Sequence, residues 1–429
     1  MQPSTIQPSV KRINFITLKP LKTNMKAVLK EIVPSKQEQL ELKKTANEII
    51  KKIKIPNTEI ILGGSSAKNT FLKDNNEIDL YIKFNLKKYQ ELDISNILKE
   101  YLEKKFKEVT TLHGSRDYYH LKKDKFTIEL IPILNIKKPE EARNITDISP
   151  FHAKWVKKNK QFCDDIRLAK AFAKANKFYG AESYIQGFSG YSLEILTIHY
   201  KGFNNLLKAV SKWKTTTTID PEKWYKGNNP LMFLNKSKTT SPIVIVDPVQ
   251  DTRNVTAVVS REKYNLFIKS AKNYLKNPSK KAFIKQTFSL EEIKKKHKKS
   301  NLIILNVKPQ EGKTDIIGAK LLKIYKYIEK ELKNNDFKIK ESGWHWKETA
   351  ILYYIIESIE LNKDIKHYGP PKSQKDRIKH FKEKWKEYKV KIENNKVYVI
   401  IPRKYLNPEE LINDLLQDPY ITSRIEKIL

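Results

Sequence analysis

Residues 59–68 read EIILGGSSAK and residues 77–79 read EID, and these two stretches decide the fold class. The apolar run that ends at Leu62 is typical of a strand, and Gly63-Gly64 ends it in a turn. The residues after the turn favour a short helix, and residues 78–84 alternate as a second strand. This succession predicts a mixed α/β unit built on a small sheet.

Two acidic residues, Glu77 and Asp79, flank Ile78 at the start of the second strand. Side chains at i and i+2 of a strand project from the same face, so the two carboxylates point together. Carboxylates that lie close together repel unless a cation separates them, and Mg²⁺ prefers such oxygen ligands together with substrate phosphates. Glu129 lies in a later predicted strand, 126–131, that ends at Pro132, and it could complete a triad. We therefore expect Mg²⁺, as two ions, at Glu77, Asp79 and Glu129.

An acidic pair of this kind is common on exposed strand faces, where it carries no chemistry. The turn ahead of the strand favours the functional interpretation, because Ser65 precedes Glu77 by 12 residues. Gly64 allows close backbone approach to a ligand, and a helix start offers free N–H groups to a phosphate. Ser65 adds a hydroxyl donor and Lys68 a cation. The combination indicates a site for phosphoryl-type transfer.

The chain of 429 residues is longer than one hydrophobic core usually supports, so we expect two to four domains. Ser35 and Glu38 have the spacing of a capping box at the start of a helix. Asn394-Asn395 predicts the turn of a hairpin. Further helical patterns cover residues 164–175, 190–200, 203–213 and 319–332, and further strand patterns cover 243–246, 302–307, 337–340 and 350–356.

The composition is strongly basic, with 84 Lys and Arg against 49 Asp and Glu, a formal net charge of +35. Such an excess favours a polyanionic partner, although Lys-rich proteomes produce it without one. The single cysteine, Cys163, excludes a disulfide framework and a cysteine-based zinc site. Residues 1–26 lack an apolar signal core and are expected to form a loosely docked arm. No apolar run approaches 18 residues, so we predict no membrane span and a cytoplasmic location.

The motif from Gly64 to Leu72, followed by Glu77-Ile78-Asp79, resembles the signature of the DNA polymerase β-like nucleotidyltransferase superfamily. More closely it resembles the archaeal (class I) CCA-adding enzymes. The similarity covers residues 27–429 and includes further blocks in the family's order. These blocks are Pro150-Phe151-His152, Arg167-Leu168-Ala169-Lys170, Phe178-Tyr179-Gly180-Ala181-Glu182, Gly187-Phe188-Ser189-Gly190-Tyr191, Val246-Asp247-Pro248-Val249, Arg253-Asn254-Val255 and His367-Tyr368-Gly369-Pro370-Pro371.

The resemblance implies a multidomain α+β fold with a catalytic head, a helical neck, an α/β body and an α+β tail. Residues 1–26 would be an N-terminal extension. The domain ranges that it implies are 27–149 for the head, 150–240 for the neck, 241–285 with 365–429 for the body, and 286–364 for the tail.

The resemblance also implies an activity, the template-independent addition of CCA to the 3′ end of tRNA from CTP and ATP with release of pyrophosphate. Glu77 and Asp79 would hold metal, and Glu129 would help to activate the 3′-hydroxyl. Arg253 would lie near the base, where Arg offers a forked contact that Lys cannot. The sequence has Glu129 where the family usually has Asp, and Lys68 where it usually has Arg. The implied nucleotide-binding residues are Gly64, Ser65, Lys68, His152, Lys170, Tyr179 and Arg253.

The expected partner is the acceptor and TΨC stem of tRNA, bound by a monomer or a homodimer. The basic residues within 294–299 would lie along its phosphates, while Trp344 and Trp346 could stack on bases or belong to a core. Two alternatives stay open. One is a poly(A) polymerase or oligoadenylate-type nucleotidyltransferase, and the other is a catalytically inactive RNA-binding protein on the same fold.

Overall fold

The computed structural model describes residues 18–73, 75–297, 301–357 and 361–429. The described chain divides into two compact units, with the boundary between Gln286 and Thr287, and each unit mixes helices with strands. The predicted N-terminal extension covers residues 1–26, of which residues 1–17 lie outside the described residues. Helix α1 (Leu18–Ile32) begins in the remaining part of the extension. Among the described residues, no helix is long and apolar enough to cross a membrane.

The first sheet of the N-terminal unit carries the acidic triplet. Its strands are β1 (Thr58–Leu62), β2 (Glu77–Asn85), β3 (Thr110–Leu112), β4 (Tyr118–Lys123) and β5 (Phe126–Asn135). They lie in the order β1-β2-β5-β4-β3, with β2 and β5 parallel and the other neighbours antiparallel. The helices of this part are α2 (Lys36–Lys52), α3 (Gly64–Lys68), α4 (Leu86–Tyr89) and α5 (Ile94–Lys105).

One face of β2 packs into the core and the other faces the site. Ile78, Leu80 and Ile82 are fully buried and pack with apolar side chains of α2 and α5. Because side chains alternate along a strand, Glu77 and Asp79 project from the opposite face. The predicted capping box of α2 is confirmed, since Ser35 accepts from the Glu38 amide and Glu38 accepts from the Ser35 amide.

The predicted end of the later strand at Pro132 is wrong, because β5 continues to Asn135. Strand β4 pairs with β5 only as far as Leu130, whereas β2 pairs with it through to Asn135. Pro132 therefore lies where β5 is paired only with β2. The N–H group that proline lacks interrupts no hydrogen bonds between β5 and β4.

The rest of the N-terminal unit is mainly helical. It contains α6 (Ser149–Lys158), α7 (Cys163–Ala175), α8 (Gly190–His199), α9 (Phe203–Val210), β6 (Thr217–Ile219), β7 (Ile243–Asp247), β8 (Gln250–Asn254) and α10 (Arg261–Lys276). Strand β7 pairs with β6 in parallel and with β8 in antiparallel orientation. Phe172, Phe178 and Phe267 form an aromatic core here, and Val28 of α1 joins the same core. The helices predicted at 164–175, 190–200 and 203–213 are confirmed within a few residues.

The C-terminal unit contains two antiparallel sheets. Its elements are α11 (Leu290–Lys296), β9 (Asn301–Pro309), α12 (Thr314–Asn334), β10 (Ile339–Trp346), β11 (Ala350–Ile356), β12 (Asp364–Pro371), α13 (Lys375–Lys384), β13 (Lys391–Glu393), β14 (Lys396–Pro402), α14 (Pro408–Leu416), α15 (Pro419–Thr422) and β15 (Ile425–Ile428). The sheet orders are β10-β11-β9-β15 and β12-β14-β13. The hairpin turn is confirmed, because Asn394 and Asn395 join β13 to β14 with φ of 46° and 60°. Two basic residues of the predicted stretch 294–299, Lys298 and Lys299, lie outside the described residues.

Trp344 and Trp346 lie in β10 and pack, partly buried, against the apolar core beneath β9, β10 and β11. Of the two interpretations of this pair, membership of the core is therefore favoured.

Candidate active site

The turn between β1 and α3 brings the chain against Asp79. The Gly63 amide donates to the Asp79 carbonyl oxygen at 2.7 Å. Gly64 has a φ of +53°, and a Cβ on it would lie 1.4 Å from Oδ2 of Asp79. A side chain at position 64 therefore cannot coexist with the carboxylate in its present place. The glycine therefore allows the Asp79 carboxylate to lie in direct contact with the backbone of the turn.

Asp79 and Glu129 form a pair of carboxyl groups on neighbouring parallel strands. They are register partners, and Glu77 lies opposite Thr127 at the more exposed end of the same face. Burial, repulsion from Glu129 and a hydrogen bond to it raise the pKa of Asp79 to about 7. Burial and the charge of Glu77 also raise the pKa of Glu129.

A third group, His120, holds Glu129 from the other side. His120 is the register partner of Glu129 on β4, and its Nε2 lies 2.8 Å from Oε1 of Glu129. Burial lowers the pKa of His120, and an Nε2–H group on its ring would donate to the Glu129 carboxylate. The sequence reasoning missed this histidine, because strand β4 was not predicted.

The donor set fits a divalent cation by its chemistry. In the part of the chain that the structure describes, no group of three His, Cys, Asp or Glu side chains is assembled to hold an ion on its own. Asp79 and Glu129 nevertheless lie opposite each other on neighbouring strands, and an oxygen-seeking cation bound by both would relieve the repulsion between them. Glu77 lines an adjoining open cleft together with Lys174 and Lys285.

The lysines Lys68 and Lys170 converge on one buried carboxylate, Glu194. The Nζ atoms of Lys68 and Lys170 each lie 2.7 Å from an oxygen of Glu194. The Thr70 hydroxyl donates to Glu194 at 2.7 Å, and Lys170 donates to the same hydroxyl at 2.9 Å. Burial alone would raise the pKa of Glu194, but Lys170 and Lys68 hold it at about 2. Burial lowers the pKa of Lys170 to about 8.

His152 and Arg253 converge in the same way on Asp247, at the end of the fully buried strand β7. Oδ2 of Asp247 lies 3.0 Å from Nε2 of His152 and 2.6 Å from Nη1 of Arg253. Oδ1 accepts from the Tyr191 hydroxyl at 3.1 Å and from the Val249 amide at 3.0 Å. The sequence reasoning named His152 and Arg253 but missed the carboxylate that joins them.

Tyr191 and Tyr179 complete the lining between these clusters. The Tyr191 ring lies 4.2 Å from the His152 ring, and Nζ of Lys68 lies 5.7 Å from its centre. Tyr179 is half-buried, with Nζ of Lys174 lying 4.9 Å from its ring centre, and burial raises the pKa of its hydroxyl. Ser65 lies at the start of α3, where its carbonyl accepts from the Thr70 amide at 3.0 Å.

The structure thus arranges most of the residues that the sequence singled out in three groups. The carboxylates lie on β2 and β5, the two lysines share Glu194, and His152 shares Asp247 with Arg253. Lys68 joins these groups electrostatically, because its charge acts to lower the pKa of both Asp79 and His152.

Models of known protein families match the chain in three consecutive ranges. A nucleotidyltransferase domain matches residues 42–152, and the second domain of tRNA nucleotidyltransferases matches residues 164–284. The C-terminal domain of CCA-adding enzymes matches residues 299–421. Fold and site together define a nucleotidyltransferase.

Curated relatives narrow the class further. The CCA-adding enzyme of Nanoarchaeum equitans is 35% identical over 380 residues, which cover 87% of this chain and 92% of the relative. The enzyme of Methanocaldococcus jannaschii is 32% identical over 406 residues, covering 91% of this chain and 90% of the relative. The chain belongs to the family of archaeal CCA-adding enzymes, which confirms the resemblance of its motifs.

Solved structures support the fold at lower similarity. A cytoplasmic RNA terminal U-transferase superposes with a TM-score of 0.51 at 14% identity, covering 64% of this chain and 99% of the other. The Cid1 poly(U) polymerase gives a TM-score of 0.50 at 15% identity, covering 62% of this chain and 99% of the other.

Proposed function

We propose that this chain adds C, C and A in order to the 3′ end of tRNA, using CTP and ATP and releasing pyrophosphate without a nucleic-acid template. One structural observation carries the proposal. Asp79 and Glu129 lie paired on parallel strands, beside cations held by Glu194 and Asp247, in a chain whose curated relatives are CCA-adding enzymes.

We assign the metal site to Asp79, Glu129 and Glu77, and the metal to Mg²⁺, as two ions. When bound, the metal would supply positive charge against the triphosphate and would favour the ionised form of the attacking hydroxyl. Burial, together with nearby carboxylates, raises the pKa values of Asp79 and Glu129, and this supports the assignment because a bound cation would stabilise the ionised form of both groups.

The chain's own residues then orient the reactants. The triphosphate is bound by five side chains, those of Ser65, Lys68, Lys170, His152 and Tyr179. Gly64 leaves room at the turn for the Asp79 carboxylate. Glu129, held by His120, helps to remove the proton from the 3′-hydroxyl of the tRNA. The oxygen of that hydroxyl forms a bond to the α-phosphorus, and the bond from phosphorus to pyrophosphate breaks.

Ordered addition is the direct test of this function. Transcripts of one tRNA lacking zero, one, two or three terminal nucleotides are incubated with labelled CTP or ATP, each supplied alone. We expect C on the two shortest transcripts, A on the transcript ending in CC, and nothing on the complete tRNA. Runs of A on every transcript would instead identify a poly(A)-type transferase, and binding without incorporation would identify an inactive RNA-binding protein.

Arg253 is expected to govern the choice between C and A. Its guanidinium is part-exposed and fixed by Asp247, so its remaining N–H groups can meet a base edge. Arg253→Ala should reduce the ratio of correct to incorrect nucleotide by about 10-fold or more, judged by kcat/KM for CTP and ATP on each transcript. Arg403→Ala removes an Arg–Asp pair of the other unit, in which the arginine is partly buried and the aspartate exposed, and serves as the control. An unchanged ratio in Arg253→Ala would refute the role.

We further propose the division into head (27–149), neck (150–240), body (241–285 with 365–429) and tail (286–364), with the basic surface binding the acceptor and TΨC stem. The gaps between the matched family ranges, after residues 152 and 284, support the end of the head and the start of the tail, and the net charge of +35 supports a polyanionic partner.

tRNA affinity should therefore fall steeply with salt. Displacing counterions from several phosphates predicts a loss of about 100-fold or more between 50 and 200 mM KCl. Filter binding measures the affinity of tRNA, and the affinity of CTP alone, measured in parallel, should change far less. A flat titration for tRNA would contradict electrostatic docking.

A further inference from the structure

A buried acidic residue that the proposed reaction does not use, Glu194, lies behind the cations of the site. It belongs to α8, where its neighbours in sequence, Leu193 and Ile195, are fully buried, and its own side chain is wholly shielded from solvent. An ionised carboxylate in such a place is costly unless it is paired and hydrogen-bonded. Glu194 meets this requirement with groups from two separate segments, Lys68 and Thr70 after β1 and Lys170 on α7.

The exposure of the three charged groups falls in order toward the interior. The side chain of Lys68 is 12% exposed, that of Lys170 is 5% exposed, and that of Glu194 is 0% exposed. Lys68 is therefore the most exposed of the three, and its charge acts on Asp79 and His152. Glu194 is the most buried of the three, so a ligand that approaches from solvent reaches Lys68 before the carboxylate.

The charges within this group explain why the carboxylate matters. Two ammonium groups that share one oxygen-lined pocket repel each other, and burial already lowers the pKa of Lys170 to about 8. Neutralising the carboxylate would leave the two cations unpaired. One of the two lysines would then lose its proton or change its side-chain position, and the positive charge around Lys68 would fall.

We propose that Glu194 is a positioning residue for the polyphosphate of the incoming nucleotide, which holds Lys68 and Lys170 charged and aligned. This inference rests on the proposed function, because it assumes that these lysines bind the triphosphate of CTP and ATP. Because the polyphosphate is common to CTP and ATP, loss of this group should affect both nucleotides equally. The choice of base, assigned above to Arg253, should be preserved.

The experiment compares Glu194→Gln and Glu194→Asp with wild type. Equilibrium binding of CTP, ATP and inorganic tripolyphosphate to the full chain is measured with Mg²⁺ present, together with kcat, KM and the thermal midpoint. In Glu194→Gln we expect weaker binding of all three ligands by about 10-fold or more, with a larger change in KM than in kcat. Glu194→Asp keeps the charge and should recover part of the affinity. The matched control is Glu222→Gln, whose carboxylate accepts from the Trp155 indole in the same unit.

The outcomes separate the inference from the function on which it rests. A wild-type chain that binds tripolyphosphate but adds no nucleotide would contradict the proposed function. The comparison of ligand binding between wild type and the Glu194 variants would still test the positioning role. Glu194→Gln that binds all three ligands within 2-fold of wild type would overturn the positioning role. If Glu194→Gln does not fold, folded Glu194→Asp decides: weaker binding of all three ligands supports the role, and unchanged binding overturns it. A fall in kcat with unchanged KM and unchanged ligand binding would overturn the positioning role.

Discussion

Asp79→Ala is expected to abolish nucleotide incorporation, with kcat falling by at least about 1,000-fold. Asp79 is the inner member of the carboxyl pair, placed on the backbone of the Gly64 turn and opposite Glu129. Its removal takes away the proposed metal ligand nearest the turn. Single-turnover incorporation of labelled CTP into tRNA measures the loss. Binding of tRNA should change little, because the positive charge that attracts the phosphates is untouched.

Two further variants test whether this loss of activity is specific to the site. Glu59→Gln removes an exposed carboxylate of the adjoining strand β1, which pairs with Lys83, and should keep full activity. Asp79→Asn should lose activity like the alanine variant without lowering the thermal midpoint, because a neutral amide no longer repels Glu129. Asp79→Ala that retained a tenth of wild-type activity would exclude the residue as a metal ligand.

The local part of this site could be predicted from the sequence. A period of two places Glu77 and Asp79 on one face of a strand whatever the rest of the fold does. A glycine pair after an apolar run forces a turn, and the Ser35 capping box and the Asn394-Asn395 hairpin are equally local. Each of these patterns is complete within a few residues, and each is present in the structure.

The groups that organise the site depend on distant parts of the chain. Lys68 is 126 residues from Glu194, and His152 is 95 residues from Asp247, so packing between elements decides both pairs. Two signals were nevertheless available. Glu194 stands in a helix that is apolar on every side, and Asp247 ends a strand that is buried along its whole length. A charge in such a setting has to be paired.

His120 shows a different obstacle, which is register. Its contact with Glu129 requires both that β4 exists and that β4 pairs with β5 so that these two residues lie opposite each other. A slip of one residue would turn the imidazole to the other face of the sheet. The pattern Tyr118-Tyr119-His120-Leu121 is compatible with His120 on either face of the sheet. The pairing of β4 with β5, and not the residues of β4 themselves, therefore decides which face the imidazole occupies.

Gly64→Ala is expected to have the second largest effect, lowering kcat by about 100-fold or more while the chain still folds. The backbone cost of a positive φ at a residue with a side chain is only about 1–2 kcal/mol. The larger consequence is steric, because the new Cβ would lie 1.4 Å from Oδ2 of Asp79 and 2.5 Å from its Cγ. Asp79 must therefore leave its place beside Glu129, and displacing a reacting group by about 1 Å costs about 100-fold in rate.

A double-mutant cycle shows whether this loss acts through Asp79. Because both changes remove the same carboxylate from the same place, Gly64→Ala combined with Asp79→Ala should be no worse than Asp79→Ala alone. Gly114→Ala is the matched control, since that glycine is exposed and a Cβ there meets its nearest atom at 3.3 Å. If the two losses multiplied in the double variant, Gly64 would serve the site by another route, such as direct backbone contact with the nucleotide. A Gly64→Ala enzyme as active as wild type would mean that Asp79 can work from a second position.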